Sequence, residues 1–306
     1  KYCVDEGPDT QPPVIEETSI INGAPVQFGI GSTDLTVYTD EPASCKWDHL
    51  DRIYDDMENS MSCSPNSPVR VNEKILFPCS TTLTEIKDRE ENKFYFRCED
   101  RSERKNKNSQ SYEFTLVGTQ PLVIDEVSPD NETIKDSTPT VKVTLTARTS
   151  VGYDKGKATC QYSETGEEGN YRDFFNTNSD VHSQELHNLP EGNYTYYIKC
   201  FDLGGNTDTE TVSFRVETDT TAPAVVRAFH EGNYLKIITN ENATCVYDNA
   251  ECLYDFDDGI KMTTLDDKEH YTDWNTLLNF YIKCRDDYGN EPAPDKCSII
   301  ARPFAL

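Results

Sequence analysis

The side chains with the widest chemical repertoire in this chain are its cysteines, of which there are 11 in 306 residues. A cysteine can ligate zinc, run thiol exchange or close a disulfide, and spacing separates these uses. None of them falls in a CxxC pair, the arrangement that marks zinc sites and redox centres. The spacing reads instead as structural disulfides, which places the chain in an oxidising, extracellular compartment. Carboxylates are the second candidate. The densest run is Asp255-Phe256-Asp257-Asp258-Gly259, echoed by Asp266-Asp267. Ca2+ takes about six to eight oxygens, and Asp255, Asp257 and Asp258 supply several. The EF-hand register fails, because Gly259 in sixth place puts Tyr254 first and Leu265 twelfth. The other use of such a run is to cap a turn, so Ca2+ is the one candidate ion and no cofactor is otherwise expected.

Catalytic motifs are missing from the sequence. No H-E-x-x-H, Walker A, G-x-S-x-G or dinucleotide glycine fingerprint occurs. His230-Glu231 opens like a zincin helix, but Tyr234 stands where the second histidine belongs. The 5 histidines are dispersed along the chain, so a His cluster would need long-range convergence. A non-enzymatic protein is the expectation. Asn131-Glu132-Thr133, Asn193-Tyr194-Thr195 and Asn242-Ala243-Thr244 are glycosylation sequons, which adds weak support for an extracellular setting.

The elements that position the cysteines follow from a pattern that occurs three times. Its first half is Cys-x-aromatic: Cys45-Lys46-Trp47, Cys160-Gln161-Tyr162 and Cys245-Val246-Tyr247. Its second half runs aromatic, apolar, basic, Cys, x, Asp, as Tyr95 to Asp100, Tyr197 to Asp202 and Tyr281 to Asp286. Repetition on this length scale means tandem domains rather than a solenoid of ~20–50-residue units. The second half is a strand: Phe94, Phe96 and Cys98 alternate onto one face, as do Tyr196, Ile198 and Cys200, and Phe280, Ile282 and Cys284. A turn follows in Asp202-Leu203-Gly204-Gly205-Asn206 and in Asp286-Asp287-Tyr288-Gly289-Asn290, with Gly and Asn where positive φ is needed and an Asp able to cap backbone N–H groups. Thr211 to Val216 then returns as the partner strand. The first copy lacks the Gly-Asn, which predicts a longer and looser hairpin returning over Ser111 to Leu116. Leu35 to Tyr38, Thr140 to Thr146 and Leu235 to Thr239 are β-branched, alternating upstream strands. The one short helix expected is about two turns over Asp51 to Met57, where Ile53, Tyr54 and Met57 fall at i, i+1 and i+4.

Linkers fall at Gly118 to Pro121 and at Thr218 to Pro223. The division is an N-terminal extension over 1–12 and domains over 13–120, 121–218 and 219–306, with linkers short enough for neighbours to touch and bend little. Composition agrees: hydrophobic residues are 35%, too few for one large core, while 17 Tyr and 13 Phe can fill several small ones. With 29 basic against 55 acidic residues the net charge is −26, which repels nucleic acid and anionic lipid. No apolar run approaches the ~18–20 residues that span a bilayer. No signal peptide opens the chain, and Lys1-Tyr2-Cys3 is expected to be a processed or excised end.

Asp219-Thr220-Thr221-Ala222-Pro223 together with the Cys-x-Asp-x-x-Gly-Asn hairpin resembles tandem bacterial immunoglobulin-like and fibronectin type III-like modules. The Cys-x-aromatic start and the Tyr-Ile-Lys-Cys strand resemble a cysteine-stapled subtype of microbial, notably archaeal, surface proteins. The resemblance covers nearly everything after Pro12 and implies an all-β chain of three tandem disulfide-stapled sandwiches. In antibody domains the disulfide joins the two sheets. Here the first Cys follows the second strand and sits beside the aromatic, so a bridge between neighbouring strands of one sheet is expected, with Cα atoms roughly 5.5–6 Å apart. No Tyr stands two residues before the second Cys, so that form of tyrosine corner is not expected. The repeat pairs Cys45 with Cys98, Cys160 with Cys200 and Cys245 with Cys284. Cys63–Cys79 and Cys252–Cys297 are two further expected bridges. Cys3 is left over, either as a free thiol or as an intermolecular link.

The function expected is a non-catalytic structural or adhesive surface protein, a stalk or filament subunit, with protein partners and self-association. Strand donation by Val14-Ile15 or by Ser298 to Ala301 is one route to assembly. The alternative is a set of carbohydrate- or protein-binding accessory modules, for which Trp47, Trp274, Tyr95 and Tyr197 are the aromatics that would have to line one sheet face.

Overall fold

The structure is a computed structural model that describes residues 9–305, so Cys3 lies outside the described residues. The chain is all-β: among those residues the only helical elements are three single 3-10 turns. The strands group into three consecutive pairs of sheets, and each pair closes over its own core.

In the first domain, Ile15–Thr18, Thr33–Thr39, Lys74–Leu83 and Ser62–Cys63 form one sheet, with Val69–Val71 paired to the long strand. Ala24–Val26, Tyr112–Gly118, Glu91–Asp100, Ala43–Asp48 and Asn59–Ser60 form the other. Period-two alternation decides what lies between them. Leu35 and Val37 from one sheet meet Phe94, Phe96, Phe114 and Leu116 from the other, all fully buried, while Asp34, Thr36 and Tyr38 face outward. Trp47 is buried in this layer, and its indole N–H crosses to the opposite sheet to reach Thr81 Oγ1 at 2.9 Å. The second domain repeats the plan, with Leu122–Ser128, Val141–Val151 and Val181–Leu189 facing a sheet built around Gly192–Phe201 and Thr207–Thr218. In the third, Val225–Glu231, Tyr234–Thr239, Glu269–Asp273 and Thr263–Thr264 face Ile260–Lys261, Thr244–Asp248, Phe280–Arg285 and Ile299–Ala301.

The domains close their second sheets differently. In the first two, a short strand (Ala24–Val26 or Glu132–Asp136) pairs in parallel with the last strand. In the third, Val225–Glu231 turns directly into Tyr234–Thr239 through Gly232-Asn233, and Ile299–Ala301 has no such partner among the described residues.

Several expectations need correction. Asp51 to Met57 is not two helical turns but one 3-10 turn over Tyr54–Asp56. Ile53 and Met57 flank it in extended conformation and part company: Met57 goes into the core while Ile53 is exposed, so no single apolar face exists. The paired cysteines of the repeat lie closer than expected, with Cα atoms 4.1, 4.0 and 4.1 Å apart. They are register partners, yet Cys98, Cys160 and Cys284 donate their N–H groups elsewhere, to Asn108, Thr177 and Ser298. They are therefore non-hydrogen-bonded pairs, the kind in which antiparallel strands approach most closely, about 4.5 Å. The two segments considered for strand donation are paired at home: Ile15 with Thr39, and Ile299 with Ile282.

Candidate functional site

The turn that follows the second cysteine of each repeat does more than reverse the chain. In the second domain Asp202 Oδ1 accepts the Asn206 N–H at 2.9 Å, and Asp202 Oδ2 accepts Asn206 Nδ2 at 2.9 Å. Gly205 sits at φ +83°, a conformation that L side chains rarely adopt. The closed turn holds the Asn206 amide against the first domain. There Nδ2 donates to Thr119 Oγ1 at 2.9 Å and Oδ1 accepts the Phe28 N–H at 2.8 Å. Thr119 donates onward to the Val26 carbonyl at 2.7 Å. Gly204 lets the two domains come this close, since a Cβ there would stand 2.8 Å from the Thr119 methyl. Asp202, Asn206 and Thr119 are all buried, so this amide bridges two domains with little competition from water.

The same device recurs in the third domain. Asp286 accepts the Asn290 N–H at 2.8 Å and Asn290 Nδ2 at 2.9 Å, and Nδ2 also donates to the Asp219 carbonyl at 2.8 Å. Polar contacts from the second domain flank it: Tyr288 OH donates to Glu217 at 3.3 Å, and Lys135 reaches Asp287 at 3.4 Å while lying over the Tyr288 ring. The first domain has no Gly-Asn, yet Asn106 takes the role six residues after Asp100 instead of four. Its Nδ2 donates to Asp100 Oδ2 at 2.6 Å and to the Asp9 carbonyl at 3.2 Å. Burial pushes the Asp100 carboxyl up, but the hydrogen bonds from Asn106 and Ser102 outweigh it and hold it below the usual carboxylate range. Sequence reasoning missed Asn106 because the turn is longer. The signal was the Asp alone, which stands two residues after the cysteine in all three copies.

Two of the three turns also gather acidic groups. Asp9, Glu41 and Asp100 place carboxylate oxygens within 4.8 Å of one another, and Asp219, Glu241 and Asp286 do the same in the third domain. Glu41 and Glu241 are set by the same local bend, in which Thr39 and Thr239 donate to the carbonyl two residues on. Burial, then repulsion from Asp9, Asp40 and Asp100, pushes the Glu41 carboxyl up to about 7. These are the oxygens best placed to take a divalent cation such as Ca2+, and protonation of Glu41 relieves the same repulsion. In the middle domain the Tyr153 N–H takes up Asp202 Oδ2 at 2.7 Å instead.

The acidic run that the sequence offers for a metal sits elsewhere. Asp255, Asp257 and Asp258 are not brought together: Asp257 pairs with Arg285 at 3.0 Å, and Asp255 precedes a 3-10 turn without capping it. Capping occurs instead at Asp266, whose carboxylate accepts the Lys268 and Glu269 N–H groups. The cysteines are joined as Cys45–Cys98, Cys63–Cys79, Cys160–Cys200, Cys245–Cys284 and Cys252–Cys297. Asn131, Asn193 and Asn242 all lie exposed. A tyrosine of corner type does occur, six residues before Cys200: Tyr194 OH donates to the Pro190 carbonyl at 2.8 Å. Trp47, Trp274, Tyr95 and Tyr197 do not form one face. Trp47 is buried, Trp274 stacks on His230, and Tyr197 lies against Gly166 in the second domain. The aromatic pair that does share an outer sheet face is Tyr234 and Tyr271, and Lys236 lies 5.0 Å from the Tyr271 ring centre.

No protein-family model matches the sequence, and no curated protein is similar to it in sequence. Solved structures align with it at low identity. The fibronectin(III)-like modules of CbhA from Clostridium thermocellum align over 70% of this chain and 97% of theirs, at 10% identity and a TM-score of 0.40. The immunoglobulin domains 1–5 of Sidekick-1 align over 92% of this chain and 57% of theirs, at 10% identity and a TM-score of 0.39. The insect immune protein hemolin aligns over 92% of this chain and 75% of its own, at 11% identity and a TM-score of 0.34. The chain is a tandem array of three β-sandwiches stapled by disulfides. Among the described residues no helix is long and apolar enough to cross a membrane.

Proposed function

We propose that this chain is a non-catalytic extracellular rod, a stalk or filament subunit of a cell surface, whose work is to hold its domains in fixed relation while its surface engages protein partners or further copies of itself. The observation that carries this reading is the repeated Asp–Asn clamp. A buried Asn amide ties the second domain to the first through Thr119 and Phe28; at the next junction Asn290 holds the start of its own domain at Asp219, beside the contacts that Tyr288 and Asp287 make to Glu217 and Lys135 of the second domain. Loosely strung domains have no use for buried polar bridges at their junctions, because inter-domain motion is the default unless contacts oppose it. Five disulfides within domains of thin core fit exposure to an oxidising, mechanically demanding setting. A microbial, notably archaeal, surface is the setting this reading favours, with glycans at the exposed Asn131, Asn193 and Asn242.

Cys3 is the candidate for a covalent link between copies. The test pairs non-reducing and reducing gels with electron microscopy of negatively stained particles. Rods of three beads with a narrow length distribution, whether single or end-to-end, are the expected result, and a ladder that collapses on reduction assigns the link to a disulfide. Particles with freely varying angles between beads would sink the rod reading.

A further inference from the structure

The outer face of the first sheet in the third domain carries a groove of about 590 Å³, inside the ~300–1,000 Å³ span of small-ligand clefts. Tyr234 lies directly across from Asp273 in the strand register and stands edge to face with Tyr271, ring centres 6.3 Å apart. Lys261, Thr263 and Leu265 line it from the neighbouring segment, with Glu231 also in its wall. Tyr234 is 49% exposed and Leu265 82% exposed, so an apolar surface faces water here beside polar groups.

Three features set this groove apart. Its polar groups are available: among the described residues the Asp273 carboxylate, the Lys261 ammonium and the Tyr234 hydroxyl form no hydrogen bond or ion pair within the chain. In the cleft at Tyr162 to Arg172, by contrast, Ser163, Thr165 and Asn170 are already bonded to one another. Its aromatic wall is also set in advance. Lys236, only 8% exposed, binds Glu269 at 2.7 Å and Glu231 at 3.3 Å, and the Tyr271 hydroxyl donates to Glu269 at 2.7 Å. A side chain held before the ligand arrives lowers the ordering cost of binding. Finally, its lining combines aromatic carbon with both acceptor and donor groups, the uncommitted ones being the Asp273 carboxylate and the Lys261 amine.

We propose that this groove binds neutral saccharides. A sugar ring offers C–H faces that pack on Tyr234 and Leu265, and a rim of hydroxyls that donate to Asp273 and accept from Lys261. The Asp273 carboxylate, on a chain of net charge −26, disfavours acidic sugars. This goes beyond the rod reading and does not depend on it, since a flexible chain could carry the same groove.

The experiment is affinity electrophoresis of the whole chain through gels containing soluble β-glucan, mannan or galactan, with polygalacturonate as the acidic counterpart, followed by calorimetric titration with whichever neutral polymer retards it. At least one neutral polymer is expected to retard the chain and polygalacturonate is not. Tyr234→Ala and Asp273→Asn are each expected to weaken binding by roughly tenfold, as truncation of an anchor residue does. Tyr234→Phe should keep most of it. Tyr197→Ala, an exposed aromatic outside the groove, should leave it unchanged. Asp273 is exposed on its strand, so its variant carries the test if Tyr234→Ala folds poorly. Absence of retardation by every neutral polymer, equal retardation by polygalacturonate, or retardation that survives both groove variants would each overturn the proposal. A stiff rod without sugar affinity would reject this groove alone.

Discussion

Replacing Asn206 by Ala tests the clamp where its geometry is most complete. The substitution deletes two hydrogen bonds across the junction, to Thr119 Oγ1 at 2.9 Å and from the Phe28 N–H at 2.8 Å, and one within the turn, to Asp202 at 2.9 Å. Each such bond contributes ~1 kcal/mol net. Thr119 keeps its donation to Val26, Asp202 keeps the Tyr153 and Asn206 N–H groups, and Phe28 is exposed enough for water to reach its amide. Large penalties from orphaned groups are therefore not expected, and the loss across the junction is about 2 kcal/mol. That corresponds to roughly a thirtyfold rise in the population of the opened junction. Hydrogen exchange reads this directly at the Thr119 amide, which is bonded to the Val26 carbonyl at 3.2 Å. Protection there should fall by about that factor, while Ile198 and Cys200 amides in the second domain's core stay protected. If Thr119 protection is unchanged, the clamp does not hold the junction and the domains are not fixed as a stiff rod requires.

Gly204→Ala should loosen the same junction, because its added Cβ would stand 2.8 Å from the Thr119 methyl and crowd Asn206 Nδ2 at 3.1 Å and Asp202 Oδ1 at 3.2 Å, the clamp's own atoms; scattering curves of the variant should show a wider spread of dimensions. Replacing Cys160 and Cys200 together by Ser removes a bridge across a separation of 40 residues, worth about 4 kcal/mol on the chain-entropy estimate, so calorimetry should show one domain melting well before the others. The first and third domains should respond oppositely to mild acid. Burial lowers the pKa of His270, partly opposed by Asp266 and Asp267, so the unfolded chain takes a proton that the folded domain resists, and third-domain stability should fall as pH drops below about 6.5. Glu41, pushed up to about 7, binds a proton more tightly folded than unfolded; its contribution is complete below about 4.5 and lost as pH rises through 7. Unfolding followed domain by domain at pH 5 and 8 checks both, and Glu41→Gln should flatten the first domain's trend while leaving the third domain's.

Much of the architecture was legible because its determinants are local. Alternation in Phe94, Phe96 and Cys98 names a buried face from a handful of residues, and an Asp followed by Gly-Asn describes a turn whose own atoms close it. The closeness of the cysteine pairs was less legible, since it depends on whether register partners bond to each other or to outside groups such as Asn108, Thr177 and Ser298. The helix expected over Asp51 to Met57 failed because spacing cannot say that Met57 will be drawn into the core while Ile53 stays in water.

The functional features divide along the same line. By itself the sequence determined the three repeats, the strands that carry their cysteines, the Asp two places beyond each second cysteine, and a net charge of −26. Only the tertiary structure decided what those turns meet: that Asn206 reaches a threonine 87 residues away, that Asn106 substitutes for a missing Gly-Asn, and that Glu41 and Glu241 join carboxylates distant in the chain. It also decided that Tyr234 and Tyr271, and not the two tryptophans, share an open face. The physical reason is that alternation assigns a side chain to one face of its strand, whereas the neighbours across that face are set by non-local pairing and by the packing of one domain on the next.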